Sequence, residues 1–182
     1  MKINPFKIIG VLILLGFASA FLFLPTEIKV NQEISINSDI NNVFNIPNTI
    51  STWENWSPWR YTQKHVSTKY KGPKSGVGSK YIWESDSIPQ MNGRLEITVS
   101  EKNKRIVGSI FYDSMGETPA YNTEFFFFDE KEFTRVVWQI SDEVSWYHLP
   151  NRFLLFGAEI RLKEMLNTGL DSLKHYVDEN NN

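Results

Sequence analysis

From Glu27 to Ser141 apolar residues recur at every second position in a series of short runs, and from about Asn151 to Glu179 they recur at steps of three and four instead. That change of period is the strongest constraint on the fold. Period two marks strands with one dry and one wet face. The closing segment, with Leu162, Leu166, Leu170, Leu173 and Val177 along one stripe, marks a long amphipathic helix. Neither element can bury its apolar face alone, so the sheet has to curl around the helix.

Seven strands are expected. In the first, Ile28, Val30, Ile34 and Ile36 alternate with Lys29, Glu33 and Ser35. Ser38-Asp39 then offers a helix cap, with Ile40, Val43 and Phe44 at helical spacing up to Pro47; Asn48 caps a second short helix carrying Ile50, Trp53 and Trp56, which Ser57-Pro58 ends. Strands at 66–71, 79–86, 94–101, 105–113, 121–128 and 133–141 follow, joined by short turns such as Asn92-Gly93 and Lys102-Asn103-Lys104. Short connections imply an antiparallel meander. The expected class is α+β: a seven-stranded antiparallel sheet curled around a long C-terminal helix, with two short helices after the first strand. The helix cannot fill the concavity of so large a sheet, and a cavity between them is expected.

Composition narrows the partners. With 19 Lys+Arg against 21 Asp+Glu there is no basic surface to hold phosphates, so no nucleic acid is expected. The absence of cysteine removes disulfides, thiolate nucleophiles and cysteine zinc sites. Residues 1–25 read as a separate unit. Ile8 to Leu24 is free of charge, preceded by Lys2 and Lys7 and closed by Pro25. As a helix it spans roughly 26 Å, close to a hydrocarbon core of about 30 Å. It reads as a membrane anchor or an uncleaved signal, with residues 26–180 as the folded domain. The preceding lysines orient a single pass with the N-terminus cytoplasmic and the domain on the outer side of a bacterial cytoplasmic membrane.

Three stretches carry a family likeness: TWENWSPW at 52–59, GVGSKYIWES at 76–85 and GLDSLKHY at 169–176, with support from 93–97 and 134–138. In order and spacing they resemble the START-like superfamily with the helix-grip fold, in particular the polyketide cyclase/dehydrase-like branch of the SRPBCC proteins, over residues 27–180. The resemblance implies a pocket between sheet and long helix for a hydrophobic small molecule such as a lipid, sterol or polyketide. It transfers no catalytic set to this chain.

The expected pocket lining is Trp59, Tyr81, Trp83, Leu95, Ile97, Ile110, Phe126 and Trp138, with Phe156 and Ile160 from the helix. Trp53 and Trp56, three apart on a short helix, read as packing, while Trp59 beyond the Ser-Pro break is expected either to lean into the cavity entrance as a gate or to lie on the following strand. Phe125 to Phe128 makes its strand apolar on both faces; the outward pair is expected either to lie under neighbouring side chains or to meet a membrane or another subunit. His65, His148 and His175 lack metal-ligand spacing, and no metal or cofactor is expected. The expected function is a membrane-tethered binding protein holding a hydrophobic or amphipathic molecule, lipid-like or polyketide-like. The alternative is a cyclase-, dehydratase- or hydrolase-type enzyme using Glu84 or His148 as acid or base. A polar dyad aimed into the cavity would distinguish it.

Overall fold

In a computed structural model describing residues 5–58, 66–85, 89, 92–115, 120–143 and 157–180, the period-two runs become β1 (Glu27–Ile36), β2 (Val66–Lys71), β3 (Lys80–Ser85), β4 (Gly93–Glu101), β5 (Arg105–Tyr112), β6 (Tyr121–Asp129) and β7 (Thr134–Glu143). They form one sheet in the order β1-β7-β6-β5-β4-β3-β2. Every neighbouring pair is antiparallel. The meander from β2 to β7 is completed by β1, which pairs with β7 from Glu27↔Glu143 to Ile36↔Thr134.

The helices are α1 (Pro5–Phe23), α2 (Ile40–Asn48), α3 (Trp53–Trp56) and α4 (Ala158–Asn180), with a 3-10 turn, Ile50–Thr52, leading into α3. Asp39 caps α2, its carboxylate accepting from Asn41 N at 2.8 Å; the hydrogen bonds from Asn41 hold that carboxyl below its usual range. α2 runs one residue past Pro47 instead of stopping there. Ser57, in extended conformation before Pro58, ends α3 as the sequence predicts. α4 starts later than the predicted Asn151: it begins at Ala158, immediately after Gly157 at φ 80°, a left-handed backbone that a helix interior does not accommodate. Residues 151–156 lie outside the described residues.

α4 buries Leu166, Gly169, Leu170, Leu173 and Val177 and lies along β1 and, less extensively, β7. The end of the grip near α2 and α3 is filled. Trp53 and Trp56 are fully buried with ring centroids 4.8 Å apart, and both meet Phe125 edge-on at 5.9 and 6.0 Å. Their indole N–H groups are satisfied: Trp53 Nε1 donates to the Pro47 carbonyl at 2.8 Å and Trp56 Nε1 to Thr52 Oγ1 at 3.2 Å. Phe125 stacks on Trp138 at 4.7 Å, and the Trp138 indole lies against Gly169, where α4 comes closest to the sheet. These two tryptophans are packing, as their spacing predicts.

β6 departs from the expected phase. Phe125 and Phe127 are the buried pair, facing α2 and α3, whereas Phe126 is half-buried on the other face with Phe128. Register explains it: Phe125 pairs with Trp138 and Phe127 with Val136, both inward residues of β7. The outward Phe128 stays 41% exposed, with the Arg135 guanidinium over one part of its ring, 4.2 Å from the centroid.

α1 carries apolar side chains that are exposed at Phe6, Ile8, Ile9 and every position from Val11 to Leu15. Among the described residues no helix is long and apolar enough to cross a membrane; the side chains at 7, 17, 18 and 20–23 of α1 are outside that description.

Candidate functional site

Strand register arranges the inner face into transverse rows, and the rows differ in chemistry from one end of the grip to the other. Near α2 and α3 the rows hold Ile106, Phe125, Val136 and Trp138, closed over by helices. Further out, Tyr81, Leu95, Ile110 and Tyr121 are successive cross-strand partners on β3, β4, β5 and β6. Asp142 continues the row on β7, next to Tyr121 and paired with Ile28. One step beyond lie Trp83, Gly93 and Tyr112. This end is therefore a floor of aromatic rings, three of them phenols.

The rings contact one another in sequence across the floor. Tyr81 meets Tyr70 at 5.8 Å and Trp83 at 5.9 Å, and Trp83 meets Tyr112 edge-on at 6.1 Å. Gly93 makes this possible: a Cβ there would reach Trp83 Cζ2 at 2.8 Å, so the indole occupies the space a side chain would need. Tyr81 is buried, while Trp83, Tyr112 and Tyr121 are half-buried and pack onto the core from its open side.

The phenols are held neutral. Burial, and then the Glu54 carboxylate on α3, push the Tyr81 hydroxyl up to about 12. Burial likewise raises Tyr112, and it raises Tyr121 together with the neighbouring Asp142 carboxylate, against an opposing effect of Arg161 on α4. Tyr70, on edge strand β2, is raised by burial and by its hydrogen bond to Glu54. Tyr70 with Glu54 is one phenol–carboxylate pair of this end, and Tyr121 beside Asp142 is another. In the first, a phenol that ionises only in strong alkali and an exposed carboxylate do not form an acid–base couple near neutral pH. Among the described residues the Ser57 and Ser79 hydroxyls are buried without a hydrogen-bond partner, whereas Thr123 Oγ1 accepts from Trp138 Nε1 at 2.6 Å.

The expected site residues separate into three groups. Tyr81, Leu95, Ile97, Ile110 and Trp138 are buried on the inner face, and Trp83 shares that face half-buried. Trp138, however, sits in the filled end, not on the tyrosine floor. Three expectations are corrected. Phe126 points outward for the register reason given above. Ile160 is 66% exposed, because the buried stripe of α4 runs through Leu162, Met165, Leu166 and Gly169, and Ile160 is about half a turn around the helix from it. Glu84 faces outward with Lys80 and Ile82 and pairs with Lys69, Oε2 to Nζ at 2.7 Å, which removes it from the interior. Trp59, His65, His148 and Phe156 lie outside the described residues.

Sequence reasoning missed Tyr112, Tyr121 and Asp142. Parity points to Tyr112, two residues from the expected Ile110, and to Asp142, four from the expected Trp138, whereas the expected phase of β6, with Phe126 inward, turns Tyr121 outward. A depression of about 440 Å³ is walled by Glu27, Lys29, Asn122, Gln139 and Ser141 together with Ile28 and Asp142, so it shares Asp142 with the tyrosine row but carries no aromatic ring among these residues.

No protein-family model matches the sequence, and no curated protein matches it. Solved structures do. A Staphylococcus aureus protein of unknown function superposes with a TM-score of 0.63 at 12% identity, over 85% of this chain and 96% of its own. DynU16, a protein in the dynemicin biosynthetic locus, does so with a TM-score of 0.54 at 14% identity over 82% of this chain, which spans 47% of DynU16. The Aha1 dimer from Colwellia psychrerythraea gives 0.50 at 16% identity, covering 81% of this chain and 96% of that one. At such identities the likeness is one of fold: a curled antiparallel sheet with a C-terminal helix, the helix-grip arrangement.

Proposed function

We propose that this chain is a START-like, SRPBCC-type binding protein of a bacterial cytoplasmic membrane, tethered by residues 8–24 and holding a hydrophobic or amphipathic small molecule between the tyrosine floor and the N-terminal half of α4. The observation that carries this reading is the division of the inner face. One end is filled by Trp53, Trp56, Phe125 and Trp138 against Gly169, while the other ends in half-buried rings with hydroxyl tips. A wall of apolar rings bearing a few polar atoms suits a lipid-like or polyketide-like guest. The tether is supported by the charge-free run Ile8–Leu24 and by a helix whose apolar side chains are exposed at five consecutive positions, 11–15, a full turn with no dry side of its own.

An enzymatic reading has less support. It needs an acid–base pair aimed into the grip; Glu84 is ion-paired on the outer face, and Asp142, the described carboxylate on the inner row, stands beside Tyr121, a weak acid. Native mass spectrometry of the full chain extracted from its own membrane tests the proposal. A retained small-molecule mass that an added apolar probe displaces is the expected result; an empty protein that also takes up no apolar probe refutes it.

A further inference from the structure

The tyrosine floor has a polarity of its own. Tyr112 and Tyr121 lie on adjacent strands, on the same face and diagonal to one another, since Tyr121 pairs with Ile110. Their rings pack on the core. Neither hydroxyl has a hydrogen-bond partner among the described residues. Neither is among the fully buried polar atoms, so each phenol remains a donor that an acceptor brought in by a guest can take over from water. The charges around them decide which acceptor. Asp142 and Arg161 both act on Tyr121 with opposite sign, and Glu54 adds a carboxylate at the Tyr81 edge. Among the described residues acting on these phenols there is thus no net positive charge to retain an anionic head group, and two neutral O–H donors instead.

Building on the binding function proposed above, we infer that the ligand is an uncharged, flat, apolar molecule carrying a carbonyl oxygen, which accepts hydrogen bonds from Tyr112 and Tyr121 while its body lies over Trp83 and Tyr81. Aromatic edges and faces on the floor favour a ring system over a flexible chain, and Leu95 and Ile110 between the tyrosines give it an apolar bed.

A matched pair of probes isolates the carbonyl: 9-fluorenone and fluorene have the same outline and differ by C=O against CH2. Equilibrium dialysis is run on the full chain in lipid nanodiscs, with empty nanodiscs as the partition blank. The wild type is expected to prefer fluorenone by about three- to tenfold, the equivalent of one neutral hydrogen bond. In Tyr112→Phe/Tyr121→Phe that preference falls to about one, and an unchanged near-UV circular dichroism spectrum reports that the fold is intact. An unchanged preference in the variant, or equal loss of both probes, overturns the role of the phenols but leaves the binding function standing. Absence of binding by either probe above the blank overturns both.

Discussion

Gly169→Ala is a sharp test of how closely α4 approaches the sheet. An added Cβ would lie 2.9 Å from Pro58 Cδ and 3.0 Å from Trp138 Cη2, and closer still to Trp138 Cζ3. The indole cannot swing aside cheaply: its Nε1 donates to Thr123 Oγ1 at 2.6 Å and its face stacks on Phe125 at 4.7 Å. Overpacking of this kind costs about 1–3 kcal/mol, and replacing a helical glycine by alanine returns about 1 kcal/mol. The net expectation is a loss of up to about 2 kcal/mol, or up to roughly 8 °C in Tm for a domain of this size. Thermal denaturation followed by circular dichroism measures it, with Trp138→Phe as the second arm of a double-mutant cycle. Phenylalanine lacks the outer indole ring, so in that background the alanine should cost less, a coupling between contacting residues. A rise in Tm for Gly169→Ala in the wild-type background, with no coupling to Trp138, would refute the close approach and with it the filled end of the grip.

Three further outcomes follow from the same geometry. Trp53→Ala or Trp56→Ala should cost about 3–5 kcal/mol in urea titrations, since each removes a fully buried indole from a cluster that cannot collapse. Stability should fall in alkali: Tyr81 ionises near 12 in the fold against 10.0 unfolded, so the unfolded chain loses its proton first, and stability complete below pH 10 is lost as pH rises toward 12. Phenolate absorbance should show the late group, and a chain with no alkaline loss contradicts its burial. Glu84→Gln should shift unfolding by less than about 1 kcal/mol and leave probe binding unchanged, as its ion pair is exposed; lost binding would return Glu84 to the site.

Most of the frame is legible in the sequence because the strands alternate cleanly. Leu95 and Ile97, or Val136, Trp138 and Ile140, fix their own phase. The run Phe125–Phe128 has no phase, being apolar at every position; only the turn sets it, where Lys131 at φ 68° lets Asp129 pair with Thr134 and hands the parity of β7 to β6. Ile160 illustrates a different failure. Apolar character extends along α4 toward its start, but the buried stripe keeps its angle, and an isoleucine off that angle stays wet. The tyrosine floor is the least legible part. Tyrosines at 70, 81, 112 and 121 are scattered in sequence, and they converge only through the register of four strands and the missing side chain at Gly93.

The central claim is that the tyrosine end of the grip is where an apolar guest sits. Photolysis of the full chain in nanodiscs with an alkyl benzophenone, followed by peptide mass spectrometry of the adducts, tests it directly. The account predicts adducts in the folded domain on β3, β5 and the start of β6, at Tyr81, Trp83, Tyr112 or Tyr121, competed by excess unlabelled alkyl ketone. Adducts confined to α1 and to outward residues such as Phe126 and Phe128, and insensitive to competition, would contradict it.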